Sequence, residues 1–148
     1  MGKLKNSSLH LFADEKYNSI FEYFTRNEDV KIDNKHLFIL AAAIGFKNEK
    51  KIDTKTNGKE ILASFFTTHE EELLMNIVMQ DNCVNNSLEL LNEKISTKEG
   101  RKIIEAYVNG GLELMIDEAF FDSWDGQQLS ATYEHNHFDL LKFVYSQI

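Results

Sequence analysis

Glu134, His135, His137 and Asp139 fall within six residues of one another. Imidazole nitrogens and carboxylate oxygens both bind zinc or iron, so this group could support metal-dependent catalysis. Residues two apart on a helix point in different directions, so His135 and His137 converge only in an extended or cap geometry. Surface or capping histidines are the plainer reading, and no metal or cofactor is expected. Asp122, Trp124, Asp125 and Gly126 superficially suggest a calcium loop. That loop requires oxygen ligands at its third and fifth positions and glycine at its sixth; Trp124 and Gly126 stand at the third and fifth. Cys83, the single cysteine, has acidic and amide neighbours that would raise its pKa, which suits an inert thiol rather than a nucleophile. Glu70, Glu71 and Glu72 are accounted for by helix capping. Walker, dinucleotide-binding, nucleophile-elbow and paired-cysteine motifs are absent. No residue is assigned a catalytic role.

Charge is the other source of chemistry. The 148 residues carry a net charge of −8, against an autonomous nucleic-acid binder, whose domain is normally basic. Residues 1–59 hold 11 basic and 8 acidic side chains, and the remainder 5 and 16. Between Lys102 and Lys142 there is neither Lys nor Arg. That interval holds Glu105, Glu113, Asp117, Glu118, Asp122 and Asp125, a candidate face for a basic partner. The bland alternative is a solvated acidic surface. Lys47, Lys50, Lys51, Lys55 and Lys59 form the opposite feature and could meet phosphates. Glu49 and Asp53 interrupt them, and neither arginine nor an aromatic side chain is interleaved, so a solvated loop is the simpler account.

The elements that must position these groups read as helices. Tyr17, Ile20, Phe21 and Phe24 follow helical spacing behind an Asp14 cap. A second helix from Asp33 or Asn34 through Ile44 is apolar on all sides, hence central, with Gly45 as its left-handed stop. Residues 46–58 read as a loop or short hairpin (near 47–58) closed by an Asn57-Gly58 turn. Ile61, Leu62, Phe65 and Phe66 predict a third helix, and Thr68 with Glu71 a capping box for the fourth. Asn85 or Asn86 caps a fifth carrying Leu88, Leu91 and Ile95, and Thr97 starts a sixth that Asn109-Gly110-Gly111 breaks. A seventh runs from Leu112 to Phe120, Asp122 to His135 is an irregular acidic loop, and Asn136 caps a last helix carrying Leu140, Leu141, Phe143 and Val144. The expected fold is all-α, an irregular single-domain bundle of about seven or eight helices over residues 1–148.

One cysteine fits a reducing cytosol. Met1 to Phe12 lacks the apolar core of a secretory leader, Gly2 is followed by Asn6 where myristoylation wants Ser or Thr, and the longest apolar run, Leu37 to Ile44, has eight residues. A cytoplasmic protein with no membrane partner is expected.

Two segments carry a family resemblance. Leu37-Phe38-Ile39-Leu40-Ala41-Ala42-Ala43-Ile44-Gly45-Phe46-Lys47 precedes the lysine-rich loop, and Ile104-Glu105-Ala106-Tyr107-Val108-Asn109-Gly110-Gly111-Leu112 follows at the matching separation. Together they resemble small bacterial proteins associated with DNA phosphorothioation (Dnd) systems, the family labelled Dnd-system-associated protein 4, over residues 12–116. The resemblance implies an accessory role beside machinery that places sulfur in the DNA backbone or restricts unmodified DNA. It carries over no catalytic residue. The expected function is a non-enzymatic adaptor contacting other defence-system proteins. The alternatives are a nucleic-acid-contacting subunit using the lysine loop or a metal-dependent enzyme at residues 134–139.

Overall fold

Helices dominate because most apolar residues recur at helical spacing, and two of those helices pack along one another at the centre. The computed structural model describes Leu4, residues 6–27 and residues 31–148. Gly2, Lys3 and Lys5, on which the leader and acylation readings rest, lie outside the described residues. The chain runs β1 (His10–Asp14), α1 (Asn18–Arg26), α2 (Asn34–Lys47), β2 (Asn57–Leu62), α3 (Thr68–Gln80), α4 (Leu88–Lys94), α5 (Lys98–Leu114) and α6 (Asn136–Ser146). Short 3₁₀ turns, Glu15–Tyr17 and Ala63–Phe65, follow the two strands, and a π turn, Met115–Ala119, prolongs α5. Six α-helices and one two-stranded sheet among the described residues replace the expected purely helical bundle of seven or eight helices.

α2 is apolar on every side because it has neighbours on several sides: α5 along its length, and α1 and α3 at other faces. Leu37, Phe38, Ala41 and Ala42 are fully buried, and burying each large side chain contributes about 1.5–3 kcal/mol. Gly45 does not stop α2. It sits inside the helix, and a Cβ there would lie 2.9 Å from the Tyr107 carbonyl carbon and 3.0 Å from the Gly111 nitrogen. Nor do Asn109, Gly110 and Gly111 break α5, which passes through all three while they are buried. Glycine is required at Gly45 and Gly111 because two helix backbones touch, and at Gly110 because the loop backbone at Lys50 lies against α5, not because the chain turns. The expected seventh helix is therefore the end of α5 and its π turn.

The sheet was missed because its strands are distant in sequence. β1 and β2 pair antiparallel, with His10 opposite Leu62, Leu11 opposite Ile61 and Phe12 opposite Glu60, and an irregularity between Phe12 and Asp14. Leu11 and Ala13 point inward, two residues apart as a strand requires. Ile61 and Leu62 thus belong to a strand, and Phe65 lies 64% exposed at the end of a 3₁₀ turn, instead of forming a third helix. Asn57-Gly58 opens β2 rather than closing a hairpin; a Cβ on Gly58 would lie 2.6 Å from the Glu15 Cα.

Local capping differs by a residue or two from expectation. The capping box at α3 is Thr67 with Glu70, each side chain bonded to the other residue's N–H. Ser87 caps α4, while Asn85 and Asn86 take positive φ in the preceding turn. Asn136 is the first residue of α6 and fully buried, with His135 before it. Leu88 and Leu141, expected inside, are 63% and 67% exposed.

Candidate interaction surface

Three polar residues of α5, Glu105, Tyr107 and Asn109, are turned inward and tie other parts of the chain to this helix. Asn109 is fully buried. Its Oδ1 accepts the Asp14 N–H at 2.9 Å, and its Nδ2 donates to the Ile52 carbonyl at 2.9 Å and Thr54 Oγ1 at 2.8 Å. One turn earlier, Glu105 Oε2 accepts the Phe12 N–H at 2.7 Å. These two side chains, four residues apart on one helix face, satisfy the N–H groups of Phe12 and Asp14 in β1. Burial pushes the Glu105 carboxyl above its ordinary pKa, and the Phe12 N–H with the Arg101 and Lys102 charges only partly offsets that.

The lysine loop is tied down at two of its five cations. Lys51 Nζ lies 3.0 Å from Asp81 Oδ2 and 5.6 Å from the centre of the Tyr107 ring. The Tyr107 hydroxyl donates to the same oxygen at 2.7 Å, and the Cys83 N–H to Asp81 Oδ1 at 2.9 Å. Burial alone would raise the Asp81 carboxyl, but those three donors hold it below the usual carboxylate value. Lys50 stands 4.0 Å from Asp117. Lys47, Lys55 and Lys59 have no ion pair among the described residues. Cys83 itself is exposed.

The six acidic residues singled out from the sequence do not share one face. Glu105 is internal. Glu113 receives Lys16 Nζ on both oxygens, at 3.0 and 2.9 Å, and the Tyr17 hydroxyl at 2.9 Å. Burial would raise its pKa, and these donors bring it below the ordinary value. Asp125 accepts the Gln127 and Gln128 N–H groups, each at 2.8 Å, and so shapes the turn that Trp124 and Leu129 bridge. Asp117, Glu118 and Asp122 are exposed on and after the π turn.

Glu118 and Asp122 instead meet a residue from α6. They line a hollow of about 320 Å³ with Phe121, Asp139, Lys142 and Phe143. Asp139 is fixed there by the Tyr133 hydroxyl at 3.0 Å. Leu140 and Phe143 bury the inner side of α6 against the π turn, while Phe138, Leu141 and Tyr145 face outward. The exposed aromatic and aliphatic residues on this face were not read from the sequence. Their spacing, three and then four residues apart, is the signal that reveals them, because it adds a second apolar stripe to a helix that already has one.

The histidines are separated. The His137 ring packs 4.9 Å from Phe24 and 5.6 Å from Tyr23, whereas His135 lies 5.6 Å from Tyr133. Among the described residues no three His, Cys, Asp or Glu side chains come together as a metal site. Among the same residues no helix is long and apolar enough to cross a membrane.

A protein-family model described as DNA sulphur modification system-associated protein 4 matches residues 33–129. The match begins at the residue before α2 and ends at Leu129, leaving β1, α1 and α6 outside it. No curated protein and no solved structure matches the chain.

Proposed function

The chain belongs to the DNA sulphur modification system-associated protein 4 family, and from that premise we propose that it is a non-enzymatic adaptor of such a system. It acts through contacts with the system's other proteins, as one cytoplasmic domain that needs no cofactor. The observation that carries this reading is the use of its polar residues. Glu105, Asn109, Asp81, Tyr107 and Lys51 are occupied with one another or with backbone groups, as a scaffold requires. The acids left on the surface, Asp117, Glu118 and Asp122, lie in the interval that contains no Lys or Arg. Lys50 lies 4.0 Å from Asp117, and Lys142 shares the hollow with Glu118, Asp122 and Asp139. Acids thus outnumber cations on this surface without being its only charges, a balance that favours basic partners and disfavours bare DNA.

Co-expression with the modification and restriction proteins of the same system tests the proposal. A tagged copy of this chain should retain at least one of them, more weakly as salt rises. Retention of none, in either low or moderate salt, overturns it.

A further inference from the structure

We propose that α6 and the π turn form a docking face for a basic amphipathic helix of a partner protein. Its apolar side would lie on Phe138, Leu141 and Tyr145, and its Lys or Arg side chains would reach Glu118, Asp122 and Asp139. This rests on the adaptor reading and names the partner's chemistry.

Phe138, Leu141 and Tyr145 are 61%, 67% and 78% exposed. Single exposed apolar residues are ordinary, but three aligned on one helix face form a stripe about 10 Å long. Phe121, 65% exposed, lines the hollow with Glu118 and Asp122 and adds an apolar side chain to its rim. Contiguous apolar surface rimmed by charge marks an interaction site, and an amphipathic helix reads such a stripe through side chains at the same spacing.

The charge around the stripe selects the occupant. Glu118, Asp122 and Asp139 line the hollow against one cation, Lys142. Lys142 Nζ lies 5.7 Å from the centre of the Phe138 ring, so a cation is already held over an aromatic face beside the acids. A partner's cation would find the same environment. A second copy of this chain would bring the acidic rim against itself, and an anionic membrane or nucleic acid would be repelled in the same way. The basic helix is the occupant for which both parts of the surface are favourable.

The test uses a synthetic amphipathic helix of Leu and Lys, a scrambled peptide of the same composition and a Leu/Glu counterpart. Binding to the full chain is read by fluorescence anisotropy. The Leu/Lys helix should bind, the other two should not, and the Leu141→Asp/Tyr145→Ser variant should weaken binding about tenfold or more. Asp122→Lys, which leaves the apolar stripe intact, should weaken binding and flatten its salt dependence. Equal binding of the scrambled peptide, or none by the Leu/Lys helix, overturns the proposal. So does a dimer of the wild-type chain in sedimentation that Leu141→Asp/Tyr145→Ser dissolves, because a second copy would then cover the stripe. Co-expression separates the two readings. If the variant still retains the system's proteins, the adaptor role stands and this face is not its site. If the wild-type chain retains none while the Leu/Lys helix binds, the adaptor role fails alone.

Discussion

Gly111→Ala tests the contact on which the fold depends. A Cβ at this position would lie 2.7 Å from the carbonyl carbon of Ala41 and 2.9 Å from its Cα, and closer still to its carbonyl oxygen. Carbon atoms pack comfortably at about 3.5–4.0 Å, so α2 and α5 would have to part by roughly 1 Å. The obstructing atoms are backbone, so no rotamer change relieves them. Overpacking of this kind costs about 1–3 kcal/mol and sometimes more, while alanine's better helix propensity returns about 1 kcal/mol. Because both helices are backbone-locked at the seam, the upper part of that range applies, for a net loss of about 2 kcal/mol or more. Against a total stability of about 5–15 kcal/mol this is a large fraction. Urea unfolding followed by circular dichroism should show a lower midpoint at unchanged slope. An equal or higher midpoint would mean that the propensity gain is unopposed and that the helices do not meet as described.

Three further outcomes follow from the buried polar groups. Asn109→Ala should cost about 3 kcal/mol or more in urea unfolding, since it strands the Asp14 N–H and the Ile52 carbonyl; a loss below about 1 kcal/mol would show that water replaces the amide. Tyr107→Phe should cost about 1–2 kcal/mol at neutral pH by removing a donor to Asp81. Asp81 is held below its unfolded pKa, so the stability it contributes is present above that unfolded value and is lost as pH falls through the depressed one. The difference between Tyr107→Phe and wild type should therefore shrink in acid, and a pH-independent difference would contradict the pairing. Glu105 has the opposite sign: its folded pKa is raised, so its ionisation weakens the fold as pH climbs from its unfolded value through the raised one. Glu105→Gln should consequently be more stable than wild type at pH 7 and lose that advantage on acidification, as a pair of pH-dependent thermal melts would show.

The helices were legible because helical burial repeats every few residues along the chain. Phe21 and Phe24, Leu74 and Val78, and Ile104 and Val108 each announce an inward face within a single turn. The all-apolar segment from Leu37 to Ile44 likewise identified a helix with neighbours all round, and the two segments carrying the family resemblance are α2 and the middle of α5. What failed were inferences about breaks. Glycine is used where a chain turns and where two backbones meet, and only the second helix tells which applies. Gly45 and Gly111 lie at the same seam, 66 residues apart in the chain.

The sequence by itself therefore determined a predominantly helical, acidic protein, the division of charge near residue 59 and the family. Tertiary structure decided which charges remain available. Glu105 looks like a surface charge in sequence, yet it is buried and accepts from β1, while Lys51 stays at the surface but is paired with Asp81. Conversely, Asp139 comes beside Glu118 and Asp122 only because α6 folds back on the π turn. Electrostatic energy depends on separation and burial, both set by long-range packing, so a count of charges along a chain cannot fix the charge of a face.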